Sequence, residues 1–108
     1  MGSLTYGHWT VEFDDRLLAH LQLVIVQRLR MQERFMLSWI DGVEVGSGRS
    51  AVWVHPEGDL CFRFAGSRAP RINEEWVRRL TKSASSSRGL VVTTEDGRIA
   101  RSTGVKRS

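Results

Sequence analysis

Few side chains in this chain could do chemistry, and their spacing narrows the choice further. Three histidines and one cysteine (His8, His20, His55 and Cys61) match no metal-ligand spacing, so no metal is expected. His8 sits at a turn and His20 borders the polar side of a helix, where both read as ordinary surface histidines. Ser38, Ser50 and Cys61 could act as nucleophiles with His55 as base, but nothing in the sequence brings them together. In an alternating strand, Cys61 reads as a small packed residue rather than a reactive thiol. The loop Gly46-Ser47-Gly48-Arg49 could cradle a phosphate. It lacks Walker spacing and lies between two strands, which favours a flexible hairpin loop. No catalytic residue and no cofactor is assigned.

The set with most chemical content is aromatic and basic. If Phe62 and Phe64 face the helices, Cys61 and Arg63 face away. Trp53 and His55 fall on that same outward side, with Arg49 at its rim. Aromatic and basic residues on an uncovered sheet form a stacking platform for single-stranded nucleic acid. Arg98, Arg101, Lys106 and Arg107 add a basic C-terminal element able to hold phosphates with strong salt dependence. The competing reading puts Trp53 in the core or in a subunit contact, and the usual burial of large rings favours it.

These side chains need a scaffold, and the middle of the chain supplies one. Residues 34–64 read as three short strands, RFMLSWI, SAVWV and LCFRF, with apolar positions at a period of two. Asp41-Gly42 and Pro56-Glu57-Gly58-Asp59 give short connections, which predicts an antiparallel meander. Residues 3–13 read as a hairpin turning at Gly7-His8, with Trp9, Val11 and Phe13 on one face. Asp14 or Asp15 caps a helix running to about Gln32, whose apolar face is Leu17, Leu18, Leu21, Val24, Ile25 and Leu29. Leu23 and Val26 lie outside that face, so a homodimer packed through this helix is a candidate assembly. Asn73 caps a second helix with Trp76, Val77, Leu80 and Ala84 on its buried stripe. The pairs Glu74–Arg78 and Glu75–Arg79 account for its charges as a solvated face. Gly89 stops it, and Leu90–Thr94 form a last strand.

The predicted fold is α+β, a two-layer sandwich. A mostly antiparallel sheet of about six strands, in the order ββαβββαβ, carries two helices on one face. A chain of 108 residues makes one domain. It buries about two-thirds of its extended surface. The division expected is a domain over 1–96 and a mobile basic tail over 97–108. The first 96 residues carry as many acidic as basic side chains, so the net charge of +4 resides in the four C-terminal cations. No apolar run approaches the roughly 20 residues of a membrane span, so no membrane partner is expected. The N-terminus lacks a signal pattern, and one cysteine forms no internal bridge; the location expected is cytoplasmic.

The segments GSLTYG, FDDRLLAHLQ, SWID, GSGRSAVWVHP, FRFAGSRAP, INEEWVRRL and SASSSRGLVV resemble a family of short actinobacterial proteins of unknown function. Many of its members carry the label ATP-dependent DNA ligase. The resemblance covers roughly residues 2–92. Relatives tend to have Arg at the position of Glu74 and to end soon after the last strand, so the basic extension is particular to this chain. Ligase chemistry, which the label would imply, attacks ATP with a lysine in a lysine-x-aspartate-glycine context. Here Asp41-Gly42 follows Trp39-Ile40, and the only lysines are Lys82, expected on an exposed helix face, and Lys106. An exposed lysine stays protonated and is a poor nucleophile.

The function expected is therefore a non-enzymatic binding module, accessory to DNA or RNA transactions, acting through the aromatic and basic sheet face. The alternatives are a homo-oligomeric interaction or structural module and, last, an enzyme related to the ligase label.

Overall fold

The computed structural model describes residues 1–42, 46 and 48–107. The element order is the expected ββαβββαβ of an α+β fold, followed by one further strand: β1 (Gly2–Tyr6), β2 (Trp9–Phe13), α1 (Asp15–Arg30), β3 (Phe35–Ile40), β4 (Arg49–Val54), β5 (Leu60–Arg63), α2 (Glu74–Ala84), β6 (Leu90–Val91) and β7 (Gly104–Arg107).

The strands divide into two sheets where the sequence suggests one. One sheet has the order β5-β1-β2-β7, the other β4-β3-β6. All neighbours are antiparallel except β3 and β6. The meander is therefore half right. β3 and β4 pair through six residues, Phe35 opposite Val54 to Ile40 opposite Arg49. The chain then leaves that sheet, and β5 pairs with β1, Leu4 opposite Phe62. The Pro56–Asp59 turn is pinned to the first hairpin. The His55 N–H donates to the Tyr6 hydroxyl (3.3 Å), and the Gly7 N–H donates to the Asp59 carbonyl (3.2 Å). Alternation fixes which face a strand buries; it does not fix which neighbour supplies the hydrogen bonds.

Both helices cap where expected. The Asp14 carboxylate accepts from the Leu17 N–H, and the Asn73 side chain accepts from the Glu75 and Trp76 N–H groups. Their apolar stripes meet the inner faces of both sheets in one core. Its largest buried members include Phe13, Leu18, Leu21, Leu37, Leu80 and Leu90. Arg28 of α1 reaches across to α2, donating to the Thr81 carbonyl (2.9 Å). The charge pattern on α2 differs from the expected one. Arg78 pairs with Glu75 one turn back (2.7 Å), and Arg79 donates instead to the Glu95 carbonyl, tying α2 to the segment after β6.

The segment expected to be a mobile tail is folded. Ala100 and Ser102 are buried. Ala100 bonds to both Val92 and Ile40, and the Ser102 N–H donates to the Ile40 carbonyl (2.8 Å). β7 then adds to the edge of β2, with Val11 opposite Val105. The segment is poor in apolar residues, but Ala100 and Val105 both reach the core, and backbone pairing supplies the rest.

His20 also departs from expectation, because it is fully buried. Its Nε2 accepts from the Asn73 N–H (2.8 Å), so the proton sits on Nδ1 and is donated to the Arg16 carbonyl (2.7 Å). The ring stacks on Trp76 with centroids 4.2 Å apart. Both nitrogens of this buried ring are thus satisfied, one by α1 and one by the N-cap of α2.

Candidate functional site

The outward face of the β4-β3-β6 sheet is an open surface built from positioned side chains. Period-two alternation sends Phe35, Leu37, Trp39 and Val54 into the core. It leaves Met36, Ser38 and Ile40 of β3 and Arg49, Ala51 and Trp53 of β4 on the other side. Trp53 is 51% exposed and stands opposite Met36. Beside it runs a groove of about 760 Å³, lined by Ser38, Ile40, Ala51, Val91 and Ile99 together with Arg49 and Arg88. No carboxylate lines it among the described residues. The result is an apolar strip with two guanidinium groups beside a half-exposed indole.

Asp41 stiffens one end of this face. Its carboxylate accepts from the Trp39 indole N–H (3.1 Å) and from the Ser50 hydroxyl (2.8 Å). That gives the Asp41-Gly42 pair a structural role, joining β3 to β4.

The sequence-based set is only partly assembled here. Arg49 and Trp53 share the face, two β-strand steps apart. His55 lies just past the strand. It is half-buried, edge-on to Tyr6 (6.1 Å between ring centroids) and 3.4 Å from the Glu57 carboxylate. Arg63 does not join them. It closes β5 on the other sheet, opposite Ser3, because β5 left the meander. The C-terminal cations scatter as well. Arg98 sits at a turn 3.5 Å from Asp96. Arg101 runs parallel beside Ile40 and donates to the Asp41 carbonyl (3.1 Å), at the rim of the face without lining the groove. Lys106 and Arg107 belong to β7, where the Arg107 guanidinium lies 5.7 Å from the Trp9 ring centre. Sequence reasoning missed Arg88 and Ile99. Arg88 follows a serine run that reads as a frayed helix end, and Ile99 lies in a polar segment that reads as mobile.

Among the described residues no nucleophile candidate is hydrogen-bonded to His55. The Ser50 hydroxyl donates to the Asp41 carboxylate, Cys61 is exposed on the β5-β1-β2-β7 sheet, and both lysines are exposed. Among the described residues no group of three or more His, Cys, Asp or Glu side chains could hold a metal ion. Of the loop Gly46-Ser47-Gly48-Arg49, Ser47 lies outside the described residues. Among the described residues no helix is long and apolar enough to cross a membrane.

A polar cluster lies elsewhere, where α1, the cap of α2 and residues 94–96 meet. Arg16 pairs with Glu95 and lies 5.6 Å from the Trp76 ring centre. Asn73 donates to the other Glu95 oxygen (2.7 Å). The Arg16 and Asn73 hydrogen bonds pull the Glu95 carboxyl from 4.5 down to about 2. At the start of α1 the Asp15 carboxyl is also lowered, by the Gly66 and Ala65 N–H groups that end β5's exit. Both clusters hold elements together, and every strong partner in them is internal.

No curated protein and no solved structure is similar to this chain. One family model does match it, over residues 1–95, which takes in the groove strands and both helices and stops short of Ala100 and β7. The chain belongs to that family, the domain of unknown function DUF7882.

Proposed function

We propose that this chain is a non-enzymatic binding module that takes single-stranded nucleic acid on the open β4-β3-β6 face. The observation that carries the reading is the half-exposed Trp53 beside a groove whose only described charges are Arg49 and Arg88. A base has a flat apolar surface that stacks on an indole, and its phosphate needs a cation a few ångströms away. The strip Ile40–Val91–Ile99 offers a second apolar surface alongside. Arg101 at the rim extends the cationic track. Arg63, Lys106 and Arg107 lie on the other sheet and are not part of this reading.

The test is fluorescence anisotropy with a labelled oligonucleotide at low salt. Trp53→Ala is expected to weaken binding about tenfold or more, since loss of one stacked base costs about 1–3 kcal/mol, with an unchanged far-UV CD spectrum. Arg88→Ser is expected to weaken binding and to lower the salt slope by about one. Binding by Trp53→Ala equal to that of the parent chain, or no binding by the parent chain at low salt, ends the proposal.

A further inference from the structure

The second edge of β4 carries information the face does not. Asp41 N–H donates to the Gly48 carbonyl (2.7 Å) in the register that continues from Ile40 opposite Arg49. Hydrogen-bonded pairs recur at every second residue of an antiparallel ladder. Ser50, Val52 and Val54 therefore turn their N–H and C=O groups toward β3. Arg49, Ala51 and Trp53 turn theirs the other way, toward an edge where β4 has no neighbouring strand among the described residues.

The other sheet's edges are blunted in the usual manner and this one is not. β5 is four residues long and ends on Arg63; β7 is four residues long and carries Lys106 and Arg107. β4 is six residues long, and after Arg49 it reads SAVWV, with no charge and no proline. Long, uncharged edges are templates for pairing with another chain.

We infer that β4 pairs antiparallel with β4 of a second copy, about a two-fold axis at Ala51. The three edge-facing residues select this register. Ala51 meets Ala51 of the partner subunit, and Arg49 meets Trp53 of the partner subunit. All of these point to the outward face, so each guanidinium is a direct cross-strand neighbour of an indole, the spacing at which cation–π attraction operates. A register shifted toward the strand's end would need the His55 N–H, which the Tyr6 hydroxyl already holds. A register shifted toward its start leaves Trp53 beyond the partner strand. The three-stranded sheet then runs unbroken through both copies, with the two grooves on one side. The pairing shares Arg49 and Trp53 with the proposed nucleic-acid face, so its test is made on the free chain. A single strand edge buries less than the roughly 1,200 Å² of a standard interface, so the dimer is a weak one.

The test is the mass of the full chain by sedimentation equilibrium over a dilution series, without nucleic acid. The mass is expected to climb from 12.3 kDa toward twice that value with concentration. Ala51→Lys, which puts a charge on the edge, is expected to stay monomeric with a parent-like CD spectrum. Ala51→Pro is the second variant: it removes an edge-facing N–H and no bond to β3. In a Cys61→Ser background, Ala51→Cys is expected to give a disulfide-linked dimer under mild oxidation. Residues facing across a hydrogen-bonded pair have Cα atoms about 5.5 Å apart, within disulfide reach. A constant 12.3 kDa for the parent chain overturns the proposal. So does a dimer that survives in folded Ala51→Lys or Ala51→Pro. Absence of the disulfide overturns the register.

Discussion

His20 shows what a single side chain contributes when both ring nitrogens are committed. It accepts from the residue that caps α2 and donates to the turn before it in α1, so it joins two helices through backbone groups. His20→Ala would leave the Asn73 N–H and the Arg16 carbonyl without those partners and open a void against Trp76. The expected cost is about 2–4 kcal/mol, read as a shift in urea midpoint at unchanged m. Glu95 acts on the same cap from outside. Its carboxyl is lowered to about 2 in the folded chain from an ordinary 4.5, so its contribution is complete above 4.5 and is lost as pH falls toward 2. Glu95→Gln is expected to lower stability at neutral pH and to converge on the parent chain at the acid end. Because Asp15 and Asp96 are lowered too, the difference between parent and variant unfolding curves across that pH range is the measurement. A difference that does not shrink with acid would show that the Glu95 charge does nothing at the cap.

Elements in this chain are set by their ends, and the junction of α2 with β6 is closed against backbone. Gly89 has φ +79°, and a Cβ there would lie 2.5 Å from the Met36 carbonyl oxygen of β3. Gly89→Ala would combine a left-handed backbone cost of about 1–2 kcal/mol with a collision against backbone that cannot swing aside. A loss of about 2 kcal/mol or more by chemical denaturation is expected, against about 1 kcal/mol for the capping substitution Asn73→Ala. Elements of this kind were legible in the sequence because capping and stop signals are local. Asn73, Asp14, Gly7 and Gly89 all mark ends that the structure keeps. The partner of β5 was not legible. Phe62 and Phe64 alternate just as well beside β1 as beside β4, and the His55 and Gly7 bonds around Tyr6 that favour β1 join residues far apart in the sequence. That one choice also decided the candidate site, since it moved Arg63 to the other sheet while Arg49 and Trp53 stayed together.

At the scale of the whole molecule, the open question is whether residues 97–107 belong to the cooperative unit. Their composition argued for mobility, and composition was a poor guide because most of what they contribute is main chain. The Ala100 and Ser102 backbone groups close the end of β3, while β7 covers the edge of β2. Removing residues 97–108 would strip the Ile40 N–H and C=O of their partners, uncover Val92 and Val11, and leave β2 as a bare edge. With stability of order 5–15 kcal/mol to draw on, a loss of roughly 3 kcal/mol or more is expected from the lost hydrogen bonds and apolar burial. The truncated chain should also unfold at lower urea and aggregate more readily through the exposed β2 edge. Equal urea midpoints for the truncated and full chains would mean that the segment docks on a finished domain and adds nothing to its cooperativity. The same result would make the truncation a clean probe of the C-terminal cations. If stability falls as expected, their part in any nucleic-acid binding has to be read from the charge reversals Lys106→Glu and Arg107→Glu, which leave β7 in place.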